Sequence, residues 1–154
     1  MTATFTPGSK LFIDTGAFIA LANAADRMHA EAAAFYRSLS PRIVRLTTAA
    51  VLGETYTFLR YHLGRTPALR WLDTIEDAVA TGHLKVIYPD AAADKATRDT
   101  LRRYADQDLS YTDALTLVVL EMESVEHVFG FDHHLALTGR VLLPGPGRAD
   151  RREG

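Results

Sequence analysis

The chain has 154 residues, with 17 basic and 19 acidic side chains, a formal charge of -2 and no cysteine. That length suits one domain with its own core, and the missing thiols exclude disulfide frameworks, thiolate zinc centres and thiol nucleophiles. The near-balanced charge excludes a protein that holds nucleic acid through a broadly basic surface, although 14 of the 17 basic residues are Arg and local patches remain open.

Apolar runs alternate with longer helical patterns, which is the signature of a parallel sheet flanked by helices. Lys10 to Asp14 reads as a first strand. Thr15 to Ala24 and Arg27 to Leu39 read as helices, the second stopped by Ser40-Pro41. Leu11 to Ala25 ends in an Ala-Asn-Ala stretch that mimics a signal-peptidase site, but a carboxylate at Asp14 suits a folded strand and helix better than an export signal. Ile43 to Leu46 reads as a second strand, followed by a helix over Ala49 to Leu63 with Thr47 or Thr48 as N-cap and Gly64 as its stop. Thr66-Pro67 opens a helix to about Ala80, with proline in its favoured first turn.

Leu84 to Tyr88 is a third strand, and Ala91 to Tyr104 a helix bearing Arg98, Arg102 and Arg103. Ser110 or Thr112 begins a helix to about Met122 that is apolar on most sides and is therefore expected to be buried. Val125 to Phe131 and Val141 to Leu143 complete five strands. The tail from Pro144 to Gly154 has no apolar anchor and is expected to be mobile. No stretch of about 18 uncharged apolar residues occurs, so no spanning helix is expected; the missing cysteines fit a reducing compartment, and a cytoplasmic location is the expectation.

Four carboxylates stand where a soluble fold has poor reasons to put them. Asp14 and Asp132 end the first and fourth strands, at the sheet edge where open α/β folds bind ligands. Asp113 lies in the first turn of the apolar helix, at its positive pole. Glu54 has Ala50 and Val51 one turn before it and Phe58 one turn after it, so it projects from an apolar face and needs a partner. Singly, Asp14 and Asp132 read equally well as helix caps, Asp113 as a dipole residue and Glu54 as a partner of Arg45 or Arg60. Brought to about 6 Å they would repel by roughly 3 kcal/mol for each of six pairs, about 15 kcal/mol in all, unless protonated or bridged by a divalent cation. Oxygen ligands without Cys favour Mg²⁺ or Mn²⁺. Zinc is disfavoured: His133 and His134 are adjacent, and His29, His62, His83 and His127 show no ligand spacing.

The segments Phe12-Ile13-Asp14-Thr15-Gly16-Ala17, Gly53-Glu54-Thr55-Tyr56, Leu109-Ser110-Tyr111-Thr112-Asp113-Ala114 and Phe129-Gly130-Phe131-Asp132-His133-His134-Leu135 resemble, in order and spacing, the motifs of PIN-domain ribonucleases, and most of all the VapC-type toxins of bacterial type II toxin–antitoxin pairs. The likeness runs from Lys10 to Leu143. It implies a three-layer α/β/α sandwich around a mainly parallel sheet of about five strands, a nuclease domain over residues 1–143 and a separate tail over 144–154. It also implies metal-dependent endonucleolytic cleavage of tRNA or rRNA by activated water, leaving a 5′-phosphate and a 3′-hydroxyl.

Carried over, Asp14, Glu54, Asp113 and Asp132 take the acidic positions as catalytic and metal-holding residues, with Thr15, Thr112 and His134 in support. The usual aromatic after that histidine is Leu135 here. Asp108 and the Asp26/His29 pair share the family's flavour without an assigned role. Arg45, Arg60 and Arg65 are candidates to steer RNA, each also readable as part of a solvated helix face. A homodimer and a small antitoxin partner follow from the resemblance, with apolar surface near Phe35, Tyr36, Tyr56 and Leu59 as a contact candidate. Two other classes compete. A Mg²⁺-dependent phosphohydrolase is disfavoured because Thr15-Gly16, rather than a second aspartate, follows Asp14; a catalytically silent binding module would predict a broken acidic set. Nucleotide-cofactor binding lacks its Gly-x-Gly-x-x-Gly.

Overall fold

The computed structural model describes residues 5–6 and 8–145, so most of the expected mobile tail lies outside the described residues. Five strands form one sheet: β1 (Lys10–Ile13), β2 (Val44–Thr48), β3 (Lys85–Ile87), β4 (His127–Phe129) and β5 (Val141–Leu143). Their order is β3-β2-β1-β4-β5 and every pairing is parallel. Around the sheet lie α1 (Thr15–Ala22), α2 (His29–Ser38), α3 (Ala49–His62), α4 (Arg65–Ala80), α5 (Ala91–Arg103) and α6 (Tyr111–Met122), with a 3-10 turn over His133–Ala136. This is the expected three-layer α/β/α arrangement.

The central strand is buried on both faces: Leu11, Phe12 and Ile13 are almost inaccessible, as a parallel strand covered by helices requires. In α6 every residue from Ala114 to Leu120 is buried, so an all-round apolar helix does sit inside the molecule. Its one polar member, Thr116, donates its hydroxyl to the Thr112 carbonyl at 2.9 Å and so is satisfied within the helix. Between α3 and α4 the chain reverses at Gly64, whose φ of 101° is costly for any residue with a Cβ.

Boundaries differ from the sequence expectation where side chains take over backbone bonds. The first helix stops at Ala22 and the second starts at His29 rather than Arg27, because Asp26 Oδ1 accepts the Met28 N–H at 2.8 Å and holds a turn. The second strand runs on through Thr48, which remains in it while capping α3 through the Val51 N–H at 3.1 Å. The fourth strand is only three residues long. Val125 is held instead by the end of α6, through the Leu120 carbonyl, and by Arg140 Nε on its own carbonyl, each at 2.8 Å. Beyond Phe129 the chain leaves the sheet at Gly130.

Candidate active site

The strand order reverses direction between β1 and β4, so the crevice beyond the carboxyl ends of these two strands is the topological switch point of the sheet. Asp14 follows β1 directly and Asp132 lies three residues past β4. The backbone at Asp14 is fixed from both sides. Its N–H donates to the Phe129 carbonyl at 3.0 Å, and the carbonyl of Ile13 just before it accepts the buried Thr47 hydroxyl at 2.8 Å. Asp14 occupies the N-cap position of α1, yet its side chain makes no capping bond, so capping alone does not account for a carboxylate only 5 % exposed.

The other two aspartates are each held by one oxygen. Asp113 forms a capping box with Ser110: Ser110 Oγ accepts the Asp113 N–H at 3.1 Å, and Asp113 Oδ2 accepts the Ser110 N–H at 3.0 Å. Asp132 caps the 3-10 turn, its Oδ1 accepting the His134 N–H at 3.0 Å and standing 2.8 Å from His134 Nδ1. Asp132 is thus the turn cap its bland reading makes it, while Asp113, expected as a dipole residue, is half of a capping box. These roles use one oxygen of each carboxylate; Asp113 Oδ1 and Asp132 Oδ2 take no hydrogen bond among the described residues.

Glu54 corrects the sequence reading. It is exposed, because the face of α3 that carries it and Phe58 forms the wall of a cleft of about 570 Å³, while Ala50 one turn earlier also packs against the core. Thr112, next to Asp113, lines the same cleft and so ties α3 to the start of α6. Thr15 is buried and its Oγ1 has no hydrogen-bond partner.

Asp14 carries the electrostatics of the site. Its carboxyl is raised from 3.8 to about 7, foremost because burial strips the charged form of water. The Thr15 amide pulls in the opposite direction, and the charges of Asp113, Asp132 and Glu54 then push it further up. Four acids distant in sequence thus share one electrostatic neighbourhood around the most buried of them. A desolvated carboxylate, three more acids with oxygens to spare and an unpaired buried hydroxyl fit a hard divalent cation that keeps some of its waters. Among the described residues, ligand atoms of Asp132, His133 and His134 also lie within 4.8 Å of one another. Chain adjacency of the two histidines does not prevent this grouping, since the 3-10 turn folds both rings toward Asp132.

The candidate arginines divide. The guanidinium of Arg45 lies 5.3 Å from the Tyr36 ring centre and lines a separate cavity with Phe18, Trp71 and Leu84. It sits opposite Leu11 in the register, three positions before Asp14, so it does not face the acids. Arg60 is on α3, 5.9 Å from the Tyr61 ring centre beside the cleft, and Arg65 is exposed at the first turn of α4. Of the apolar contact candidates, Leu59 is in the core and Phe35 packs edge-on against Phe129 at 4.8 Å, leaving Tyr36 exposed and Tyr56 half-buried. Asp26 and His29 hold the α1–α2 turn, His29 Nδ1 donating to the Ala20 carbonyl at 2.7 Å. In the sequence Thr47 stands out only as a candidate helix cap, Gly130 only as part of the last motif and Ser110 only as a helix start; their contacts around Asp14 and Asp113 are tertiary.

Residues 11–141 match the PIN domain over most of the chain. The chain belongs to the PIN-domain family. It is also 28 % identical over 131 residues to the 23S rRNA-specific endonuclease VapC20 of Mycobacterium tuberculosis, covering 85 % of this chain and 95 % of that one. The crystal structure of that protein, described as a sarcin–ricin loop cleaving toxin, superposes with a TM-score of 0.75 at 26 % identity, over 85 % of this chain and 96 % of its own. The crystal structure of PAE2754 from Pyrobaculum aerophilum is also similar in fold, with a TM-score of 0.52 at 18 % identity over 88 % of this chain and 92 % of its own. The acids of this PIN domain lie at the switch point of a sheet shared with an RNA-cleaving relative.

Proposed function

We propose that this PIN domain is a divalent-metal-dependent endoribonuclease and the toxin of a toxin–antitoxin pair. The observation that carries the reading is the buried Asp14 at the end of the central strand, whose carboxyl is pushed up by burial and then by the charges of Asp113, Asp132 and Glu54. Likeness to VapC20 supports the RNA substrate and makes the sarcin–ricin loop of 23S rRNA the first target to try.

Asp14, Asp113 and Asp132 would hold Mg²⁺ or Mn²⁺, with Glu54 joining directly or through water. Such an ion supplies an activated water and neutralises charge on the phosphate during in-line displacement. The protein's own part is positional. Strand ends and the Thr47 hydroxyl fix Asp14; Ser110 and His134 aim Asp113 and Asp132 by holding one oxygen of each. The Thr15 hydroxyl, buried without a partner, would orient a water or the Asp14 carboxylate, and Thr112 would do the same at Asp113. Arg60 would meet an RNA phosphate. No side chain is needed as a nucleophile.

A homodimer and a small antitoxin covering the acidic cleft complete this reading. Purified protein is expected to cut a sarcin–ricin loop oligoribonucleotide or total RNA in Mg²⁺ or Mn²⁺, to stop with chelator, and to lose cleavage but not its fold in Asp14→Asn. Cleavage retained by that variant would reject the site. RNA left intact by the unmodified protein under all these conditions would favour a silent binding module, and release of phosphate from small esters a phosphohydrolase.

A further inference from the structure

The C-terminal half of α3 presents three rings on one side, Phe58, Tyr61 and His62, at the i, i+3 and i+4 positions that share a helix face. Phe58 and His62 are stacked, with centroids 3.8 Å apart and planes 12° from parallel. His62 Nδ1 is 2.9 Å from the Phe58 carbonyl, which can only accept, so Nδ1 carries the hydrogen and Nε2 of the neutral ring is an acceptor. Tyr61 is 79 % exposed, a large aromatic surface left in water. All three rings line the cleft that Glu54 and Thr112 also line. Phe58 lies one turn, about 6 Å, along the helix from Glu54.

Thr57, which also lines the wall, spends its hydroxyl on the Gly53 carbonyl at 3.0 Å. Flat, exposed ring faces on one side of a helix suit a partner that stacks. The charge pattern points the same way: Glu54 and the negative pole of the α3 C-terminus disfavour a phosphate against the rings but tolerate a neutral base. Arg60, 5.9 Å from the Tyr61 ring centre, places a cation at the rim where the strand's backbone would pass.

We infer that this wall is a stacking subsite for an unpaired nucleobase of the substrate RNA, adjacent to the phosphate that is cut. Tyr61 and the Phe58–His62 pair hold the base, and the neighbouring phosphate is thereby delivered to the acids. Because stacking is tolerant of base identity, the subsite selects unpaired loops over duplex more than it selects a sequence. The inference rests on the endoribonuclease reading above.

The test uses the full chain on a pool of hairpin oligoribonucleotides with randomised loops, with sequencing of cut ends and kinetics on one selected hairpin. Tyr61→Ala is expected to raise KM roughly tenfold with kcat at saturation retained, and Tyr61→Trp to restore it. A 2-aminopurine placed beside the cut is expected to be quenched on binding to Asp14→Asn protein, and much less to the Asp14→Asn, Tyr61→Ala double variant. No cutting of the pool by the unmodified protein would sink the nuclease reading itself. Normal cutting with unchanged KM in Tyr61→Ala and unchanged quenching in the double variant would overturn the subsite alone. Conversion of a dimer to a monomer by Tyr61→Ala, with no 2-aminopurine response in any position, would also overturn it and make the ring face a contact between copies of the chain.

Discussion

Gly130 passes so close to Asp14 that a Cβ added to it would lie 3.1 Å from Asp14 Cβ and 3.5 Å from Asp14 Oδ2, with Leu135 Cδ1 at 3.3 Å. The glycine lets the chain leaving β4 press against the residue that follows β1. Leu135 can yield by a rotamer change, whereas Asp14 Cβ is tied to a backbone bonded on two sides. Gly130→Ala is therefore expected to destabilise the fold by about 1–3 kcal/mol, and to cut RNA cleavage more than that loss explains, because the displaced group is Asp14. Denaturant titration alongside initial rates at a temperature where the variant is fully folded checks both parts.

The raised carboxyl of Asp14 fixes a pH dependence of stability in metal-free protein. Unfolded, the group releases its proton near 3.8; folded, it keeps it to about 7. Between those values the folded state binds the extra proton, so this group's contribution is fully present below pH 4, is lost as pH rises through 7, and is flat above. The span corresponds to about 4 kcal/mol. Asp14→Asn is expected to remove that slope and to be more stable than the unmodified chain at pH 8 without metal. Mn²⁺ is expected to stabilise the unmodified chain at pH 8 and to leave the variant nearly unmoved. Urea melts from pH 4 to pH 8, with and without Mn²⁺, decide; a slope that persists in Asp14→Asn would place its origin elsewhere.

Ser110 holds the start of α6 and, through its N–H, one oxygen of Asp113. Ser110→Ala removes the hydroxyl cap and is expected to cost about 1 kcal/mol, while the backbone bond to Asp113 persists. Cleavage should then fall only modestly. Asp113→Asn keeps the geometry but removes the charge, and is expected to abolish cleavage with little loss of thermal stability. The pair of melting curves and rates separates the capping role of Asp113 from its chemical one.

Much of this was legible because it depends on local chemistry. The continuous apolar run Leu11-Phe12-Ile13 can only be an interior strand, and a helix as apolar as Ala114 to Leu120 has nowhere to lie but inside. The four acids stood out because each interrupts such a segment. What the pattern misread is tertiary. Ala50 and Phe58 mark an apolar face on α3, but an apolar face can line a cleft as well as a core, and Glu54 is exposed for that reason. Arg45 shares a strand with Thr47, yet only the register reveals that it lies three positions back from the acidic edge. The closeness of Gly130 to Asp14 joins residues more than a hundred positions apart and leaves no local trace.

His134 is the test of how far Asp132 depends on its neighbour. Its side chain is largely covered, at 15 % exposure, while the carboxylate beside it is 38 % exposed, so the ring is the fixed member of the pair. Nδ1 stands 2.8 Å from Asp132 Oδ1, and the His134 N–H donates to the same oxygen at 3.0 Å. Removing the ring therefore leaves one restraint in place and frees the carboxylate to rotate about the other. Partners of this kind typically carry 10–100-fold in metal affinity or activity. His134→Ala is expected to weaken Mn²⁺ binding and to lower kcat within that range while KM for RNA changes little; His134→Asn, which can still offer an N–H, should recover part of the loss. Calorimetric titration with Mn²⁺ and steady-state cleavage give the two readings. A rise in KM with kcat and metal affinity intact would instead place His134 against the RNA, and would remove it from the support of Asp132.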